Sequence, residues 1–470
     1  MPACEQSAFL RVVRSRLREA IGRLEGRYGY VSALGTDSFG INYAATPGER
    51  RAGDSAWSER GFVFRAQKDG RIVEAAFNEL PGGDLADVVA DRLDALFAGS
   101  RGARRYPALP DEPVEASWFG TYGVDPFSAD PDAAMDALSR ARAAVQAASD
   151  ELVFSAARAE SMRVSKLFVS PERLLEQSFM WSQAYLTAVA RRGDVTRNNY
   201  QAFSGLKGFE ILDEVEAEAG AFAAQTLELL GAGRIEPGEY EVVMDPDVAG
   251  TLAHEAFGHG VETDMFAKGR AKAAEYLGKP VASPMVAMYD GASGVDHCGT
   301  YLFDDEGRLA TRTQIIKDGI LVSGISDLQS ALAVGHPQTG NGRRESYQRK
   351  AYARMTNTYF ASGTSTRDEL IASVGRGWLL EKVHSGMEDP KNWGIQLVVM
   401  IGREIADGRL TGRVVTPVVC SGYVPDVLSD ISMLSSDFKL SGSGYCGKGH
   451  KEYVKVSCGG PYVRTKMRLG

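Results

Sequence analysis

The sequence predicts an α+β fold in two domains, with an N-terminal α/β-mixed domain over residues 1–235 and a strand-rich C-terminal domain over residues 236–470. Three observations predict it. The first half alternates helical with extended hydrophobic patterns. Residues 231–238 gather three glycines and Pro237, a turn-rich break of the kind that separates domains. Beyond that break, short extended stretches divided by glycine turns run from Met285 through Ile401 to Val463.

In order, residues 5–24 pattern as a helix, residues 28–34, 61–66 and 71–77 as strands, and residues 84–97 as a second helix. Residues 99–120 are rich in Gly, Pro and charge and read as a long excursion within the domain; the basic cluster from Arg101 to Arg105 falls there and reads as a solvated loop. A helix over residues 130–149 follows. Another is expected over residues 209–230, where Phe209, Leu212, Val215, Ala219, Phe222 and Leu229 recur at helical spacing and should bury one face. Past the break, residues 240–244 read as a strand. Asp245-Pro246 then supplies a side-chain acceptor and a residue suited to a first helical turn.

Composition narrows the function. The 470 residues are 44% hydrophobic, enough for a sizeable core, and the net charge of -8 argues against a broad basic face for nucleic acid. No apolar run approaches the roughly 20 residues of a bilayer span. Residues 1–25 mix Arg14, Arg16 and Arg18 with Glu5, Glu19 and Glu25, which predicts a surface helix and not a secretion signal. The five cysteines, Cys4, Cys298, Cys420, Cys446 and Cys458, are scattered and odd in number, so a reducing cytoplasm is the expected compartment.

The chemistry gathers at His254-Glu255-Ala256-Phe257-Gly258-His259. Two imidazoles can hold zinc, and a neighbouring carboxylate can take a proton from activated water. Five residues of ideal α-helix would set the two histidines roughly 140° apart, too far around the axis for one ion. The helix must therefore be distorted, for example by a π-bulge, or end here; Gly258 and Gly260 lower the cost of either. A third ligand comes from elsewhere: Cys446, Cys458, His450, His297 or a nearby carboxylate. Cys446 ranks first on chemistry, because it sits among glycines and Lys448 favours a thiolate. Gly442, Gly447 and Lys448 have the spacing of a phosphate-binding loop, but Gly449 replaces the required Ser or Thr and residues 453–456 look like strand, which excludes nucleotide binding.

The segment from His254 to Gly260, with Cys446-Gly447-Lys448 near the end, resembles the TldD branch of the TldD/PmbA family. The resemblance extends through Phe303-Asp304-Asp305-Glu306-Gly307, Gly319-Ile320-Leu321 and Arg354-Met355-Thr356-Asn357-Thr358. It implies a two-domain subunit whose C-terminal domain carries a metal-binding helix, Zn2+ held by His254, His259 and Cys446, and Glu255 as the general base that later returns its proton to the leaving amine. It also implies unfolded or extended peptide substrates, admitted to a chamber between paired subunits: a homodimer, or a heterodimer with a PmbA-like subunit that lacks the metal motif. Members are described as modulators of DNA gyrase and as proteases that mature microcin precursors or degrade antitoxins. The chain departs from the family pattern at Gly449-His450-Lys451, at its ending with the extra Cys458, and at Ala351-Tyr352-Ala353, where prolines are expected.

Arg354, Thr356, Asn357 and Tyr347 offer donors suited to holding an extended peptide backbone or an oxyanion. Two other functions are compatible with the motif: a non-catalytic peptide-binding subunit, and a zinc hydrolase acting on a small natural-product amide.

Overall fold

The computed structural model describes residues 1–100, 102–449 and 451–470; Arg101 and His450 lie outside the described residues. Its first half is built on an eight-stranded sheet. Three long strands dominate it: Tyr30–Ala45, Leu152–Val169 and Arg173–Arg192, paired antiparallel in that order. The first runs well beyond the stretch predicted at residues 28–34. Gly35 and Gly40 lie inside it, where its neighbours crowd it: a Cβ on Gly40 would fall 1.9 Å from Met162 Sδ. Val114–Phe119, predicted as part of an irregular excursion, pairs parallel to Arg173–Arg192 at the sheet edge, and its half-exposed pattern carries little hydrophobic signal.

Two pairs of helices cover this sheet. Ala8–Leu24 starts where the Ser7 hydroxyl accepts from the Phe9 and Leu10 N–H groups, and it buries Leu10, Leu17, Ile21 and Leu24. It packs with Leu85–Gly99, capped by Asp84, over Phe62, Phe64 and Leu167 of the sheet. The other pair, Pro131–Ala147 and Ile211–Glu228, shares a core with Leu186 and Ala188 of the sheet. All six residues predicted to share a buried face, from Phe209 to Leu229, are buried, five of them in that core and Leu229 in the neighbouring one with Met400 and Ile401.

The second half holds two larger sheets. In one, Arg376–Glu388, Gly238–Met244, Val463–Leu469, Val418–Tyr423 and Gly394–Ala406 pair in sequence, and the last pairs back to the first, so the hydrogen bonding closes on itself. The other is six-stranded and includes Met288–Gly291, Asn357–Phe360 and Ser457–Gly460. Between them lies the helix Pro246–Phe257, which contributes Val248, Leu252, Ala253, Ala256 and Phe257 to the largest apolar core. The helix sits against backbone: a Cβ on Gly250 would fall 2.3 Å from the Cα and N of Gly459. The mixed α+β class is the predicted one, and the C-terminal half is strand-rich, with only short helices beside Pro246–Phe257 among the described residues.

Candidate metal centre

The Asp245 carboxylate accepts from the Val248 N–H at 2.8 Å and Pro246 occupies the first turn, so the helix begins where the sequence placed it. It ends between the two histidines. Phe257 is the last α-helical residue, the Gly258 N–H bonds the His254 carbonyl at 3.1 Å, and His259–Val261 forms a 3₁₀ turn. Of the two predicted solutions to the five-residue spacing, helix termination is the one found, and no π-bulge forms among the described residues. The tighter turn swings His259 back beside His254, with ring centroids 5.2 Å apart and planes at 88°.

Cys446 reaches the same point from the hairpin Tyr445–Lys448/Lys451–Lys455. Donor atoms of His254, His259 and Cys446 all lie within 4.8 Å of one another. His254 and Cys446 are buried and His259 is half-buried. Burial pushes the Cys446 thiol up, but His259 and His254 outweigh it and pull it well below its usual range. Burial likewise opposes a charged His259, and Cys446 and then Glu262 override it. Two imidazoles and a thiolate, largely buried, form a donor set that would suit zinc. His254 Nδ1 is itself buried without a hydrogen-bond partner among the described residues.

A charged layer supports the trio. Glu262 Oε2 lies 3.4 Å from His259 Nδ1 and 3.1 Å from Lys448 Nζ, while Glu262 Oε1 accepts from Arg354 Nε at 3.0 Å. This carboxylate orients the imidazole from its far nitrogen. Arg354 also donates from Nη2 to Cys446 Sγ and to the Cys446 carbonyl, each at 3.0 Å. Lys448, expected to act on the thiol, acts at one remove: its ammonium donates to Asp264 at 2.7 Å and sits beside Glu262.

Glu255 is half-buried beside His254, on the same helix. The strand Arg376–Glu388 crosses above it, and only glycine fits at the crossing: a Cβ on Gly386 would lie 2.8 Å from both Glu255 Cγ and Thr251 Cγ2. Two residues on, Glu388 brings Oε1 to 3.5 Å from where a Cβ on Gly260 would stand. Neither carboxyl oxygen of Glu388 has a hydrogen-bond partner among the described residues. Burial pushes this carboxyl up to about 9, Glu255 adds to the effect, and His259 opposes it. Sequence reasoning missed Glu388, because Met387-Glu388-Asp389 reads as an ordinary charged turn.

The other expected residues lie elsewhere. Arg354, Thr356 and Asn357 have no exposed surface. Thr356 donates from N and Oγ1 to Asp290, at 3.1 and 2.9 Å, and the Asn357 amide donates to Gly291, Val295 and Thr300. Their polar groups are thus engaged within the chain, and Arg354 serves the thiol. Tyr347 is half-buried against Gly61, its N–H donating to Glu59 at 3.0 Å. His297 Nδ1 lies 2.8 Å from Ser457 Oγ, and Cys458 stands in the neighbouring strand Ser457–Gly460, so neither joins the trio.

Residues 237–469 match the model of the PmbA/TldA metallopeptidase C-terminal domain. A metalloprotease of Synechocystis is 28% identical over 467 residues, covering 97% of this chain and 98% of its own. A metalloprotease of Methanothermobacter thermautotrophicus is 31% identical over 66% of this chain and 67% of its own. The zinc metalloprotease TldD homolog of Saccharolobus solfataricus is 30% identical over 62% of this chain and 65% of its own. The solved structure of TldE from Thermococcus kodakarensis superposes with a TM-score of 0.76 at 16% identity, over 97% of this chain and 99% of that one, a likeness of fold. The similarity runs the length of the chain and includes the segment that carries the site, and the chain belongs to the TldD/PmbA metallopeptidase family.

Proposed function

We propose that this chain is a zinc-dependent peptidase acting on unfolded or extended peptides, with His254, His259 and Cys446 holding the metal and Glu255 as general base. The observation that carries this reading is the convergence of three zinc-type donors, from two segments far apart in sequence, beside a half-buried carboxylate. What zinc supplies when bound is Lewis acidity, which polarises a peptide carbonyl and acidifies water. Glu255 takes the proton of the attacking water, a step its place beside His254 allows. Glu262 and Arg354 hold the imidazole and the thiolate in their ligating forms.

In this reading residues 1–235 and 236–470 are two domains of a subunit that pairs around an enclosed chamber, as a homodimer or with a PmbA-like subunit. A relative of the same fold is named TldE. The cytoplasm is the proposed compartment; no helix among the described residues is long and apolar enough to cross a membrane.

Digestion of a library of extended peptides, followed by chelation and zinc return, tests the function. Cleavage that is lost with the metal and restored by zinc supports it. Undiminished cleavage by metal-free protein contradicts it, and turnover of small amides without any peptide cleavage would favour the natural-product hydrolase. Light scattering across dilution tests the pairing, and a fully active monomer would remove the chamber.

A further inference from the structure

We propose that Glu388 is a second catalytic carboxyl of this centre, the group that gives a proton to the departing amine when a peptide bond is cut. The inference rests on the peptidase reading and adds the proton donor to it. Gly386 and Glu388 project from the same face of their strand, because side chains alternate along it. Gly386 lies against Glu255, and Glu388 lies against Gly260, the residue after His259. The strand therefore places a carboxyl at the turn that follows His259, two residues beyond its crossing of the proposed base.

That carboxyl is an anomaly. More than nine in ten buried polar groups find a hydrogen-bond partner, yet both oxygens of Glu388 are withdrawn from solvent with none among the described residues. Of its acidic neighbours other than Glu255, Glu262 pairs with Arg354 and Lys448, and Asp389 with Asn392. A carboxyl that burial keeps protonated, with no acceptor among the described residues, is available to donate to a molecule that enters the site.

The step balances. The attacking water loses one proton to the Glu255 carboxylate as its oxygen bonds to the carbonyl carbon. The C–N bond then breaks with its electron pair on nitrogen, and that nitrogen takes the Glu388 proton. Glu255 is left protonated and Glu388 ionised, and passage of one proton from the first to the second restores both. The proton taken from water thus returns through Glu388 instead of passing directly from Glu255 to the amine.

The test compares full-length wild type with Glu388→Gln and Glu388→Ala, each loaded with zinc, on a peptide and on an aryl ester with the same acyl portion. A phenolate leaves without protonation and an amine does not. Both variants should lose about 100-fold in kcat on the peptide and little on the ester, with zinc content and thermal midpoint retained. Independently of turnover, the infrared spectrum of metal-free wild type at neutral pH should contain a protonated carboxyl band that Glu388→Gln removes. Equal losses on both substrates, an effect confined to KM, undiminished peptide cleavage by Glu388→Gln, or absence of that band would each overturn the proposal. A wild type inert towards both substrates would refute the peptidase reading and this inference with it, whereas active wild type and active variants would refute the inference alone.

Discussion

His259 Nε2 lies 3.2 Å from Cys446 Sγ, across a sequence separation of 187 residues. The contact needs a helix that stops at Phe257, a 3₁₀ turn that redirects the second imidazole, and a hairpin that delivers the thiol. Cys458 has none of this arrangement. Cys446→Ser should therefore lose most bound zinc, while Cys458→Ser retains about one equivalent per chain, as measured by metal analysis after dialysis. Equal retention by the two variants would remove Cys446 from the ligand set.

Arg354 makes the second prediction. It is fully buried, ion-paired with Glu262 and bonded to the Cys446 thiol. Arg354→Met leaves the Glu262 carboxylate with less compensation in a dry site, and should cost about 3 kcal/mol or more in urea unfolding. Zinc affinity should fall by about 10- to 100-fold, because the group that orients the ligands is disturbed. A variant of native stability and affinity would show the pair to be incidental.

Gly250→Ala probes the seat of the site helix. Its new Cβ would overlap backbone atoms of Gly459 at 2.3 Å, which no side-chain rotation can relieve. Overpacking of this kind costs about 1–3 kcal/mol, so the variant should unfold at lower urea and hold zinc more weakly, the two effects appearing together.

Acid should loosen the tie between the two halves. Arg65 binds Glu306 at 2.5 Å, and Glu74 lies between Arg65 and Arg344 at 2.7 and 2.5 Å. Burial pushes the Glu74 carboxyl up, but Arg344 and Arg65 outweigh it and bring it from 4.5 down to about 2. Because the folded value is depressed, the unfolded chain takes up the proton first as pH falls. The stabilisation is present above 4.5 and disappears as pH drops towards 2, at most about 3 kcal/mol. Glu74→Gln should flatten this acid limb in urea titrations at neutral pH and near pH 2; an unchanged limb would assign the acid sensitivity to other carboxylates.

Local signals made part of this structure legible. Asp245-Pro246 marked the start of the site helix, the helical spacing from Phe209 to Leu229 marked a buried face, and the spacing of His254 and His259 required a broken helix. What stayed hidden depends on contacts distant in sequence. The first strand was expected to end at residue 34, and what carries it on to Ala45 is Phe62 and Met162 packed against Gly35 and Gly40. Arg354 reads as a surface donor until the hairpin places Cys446 over it, and Glu388 has no signal until its strand crosses Gly260. The three donors that converge, His254, His259 and Cys446, were legible from local motifs, and the groups packed against them were not.

The most direct test pairs zinc content with peptide cleavage in the same preparations of Glu255→Gln and His259→Ala. Glu255→Gln keeps the shape of the side chain and leaves the metal donors untouched, so it should hold about one zinc per chain and lose roughly 100-fold or more in turnover. His259→Ala should lose zinc and cleavage together. An active Glu255→Gln enzyme, or a His259→Ala protein that keeps its zinc, would contradict the account.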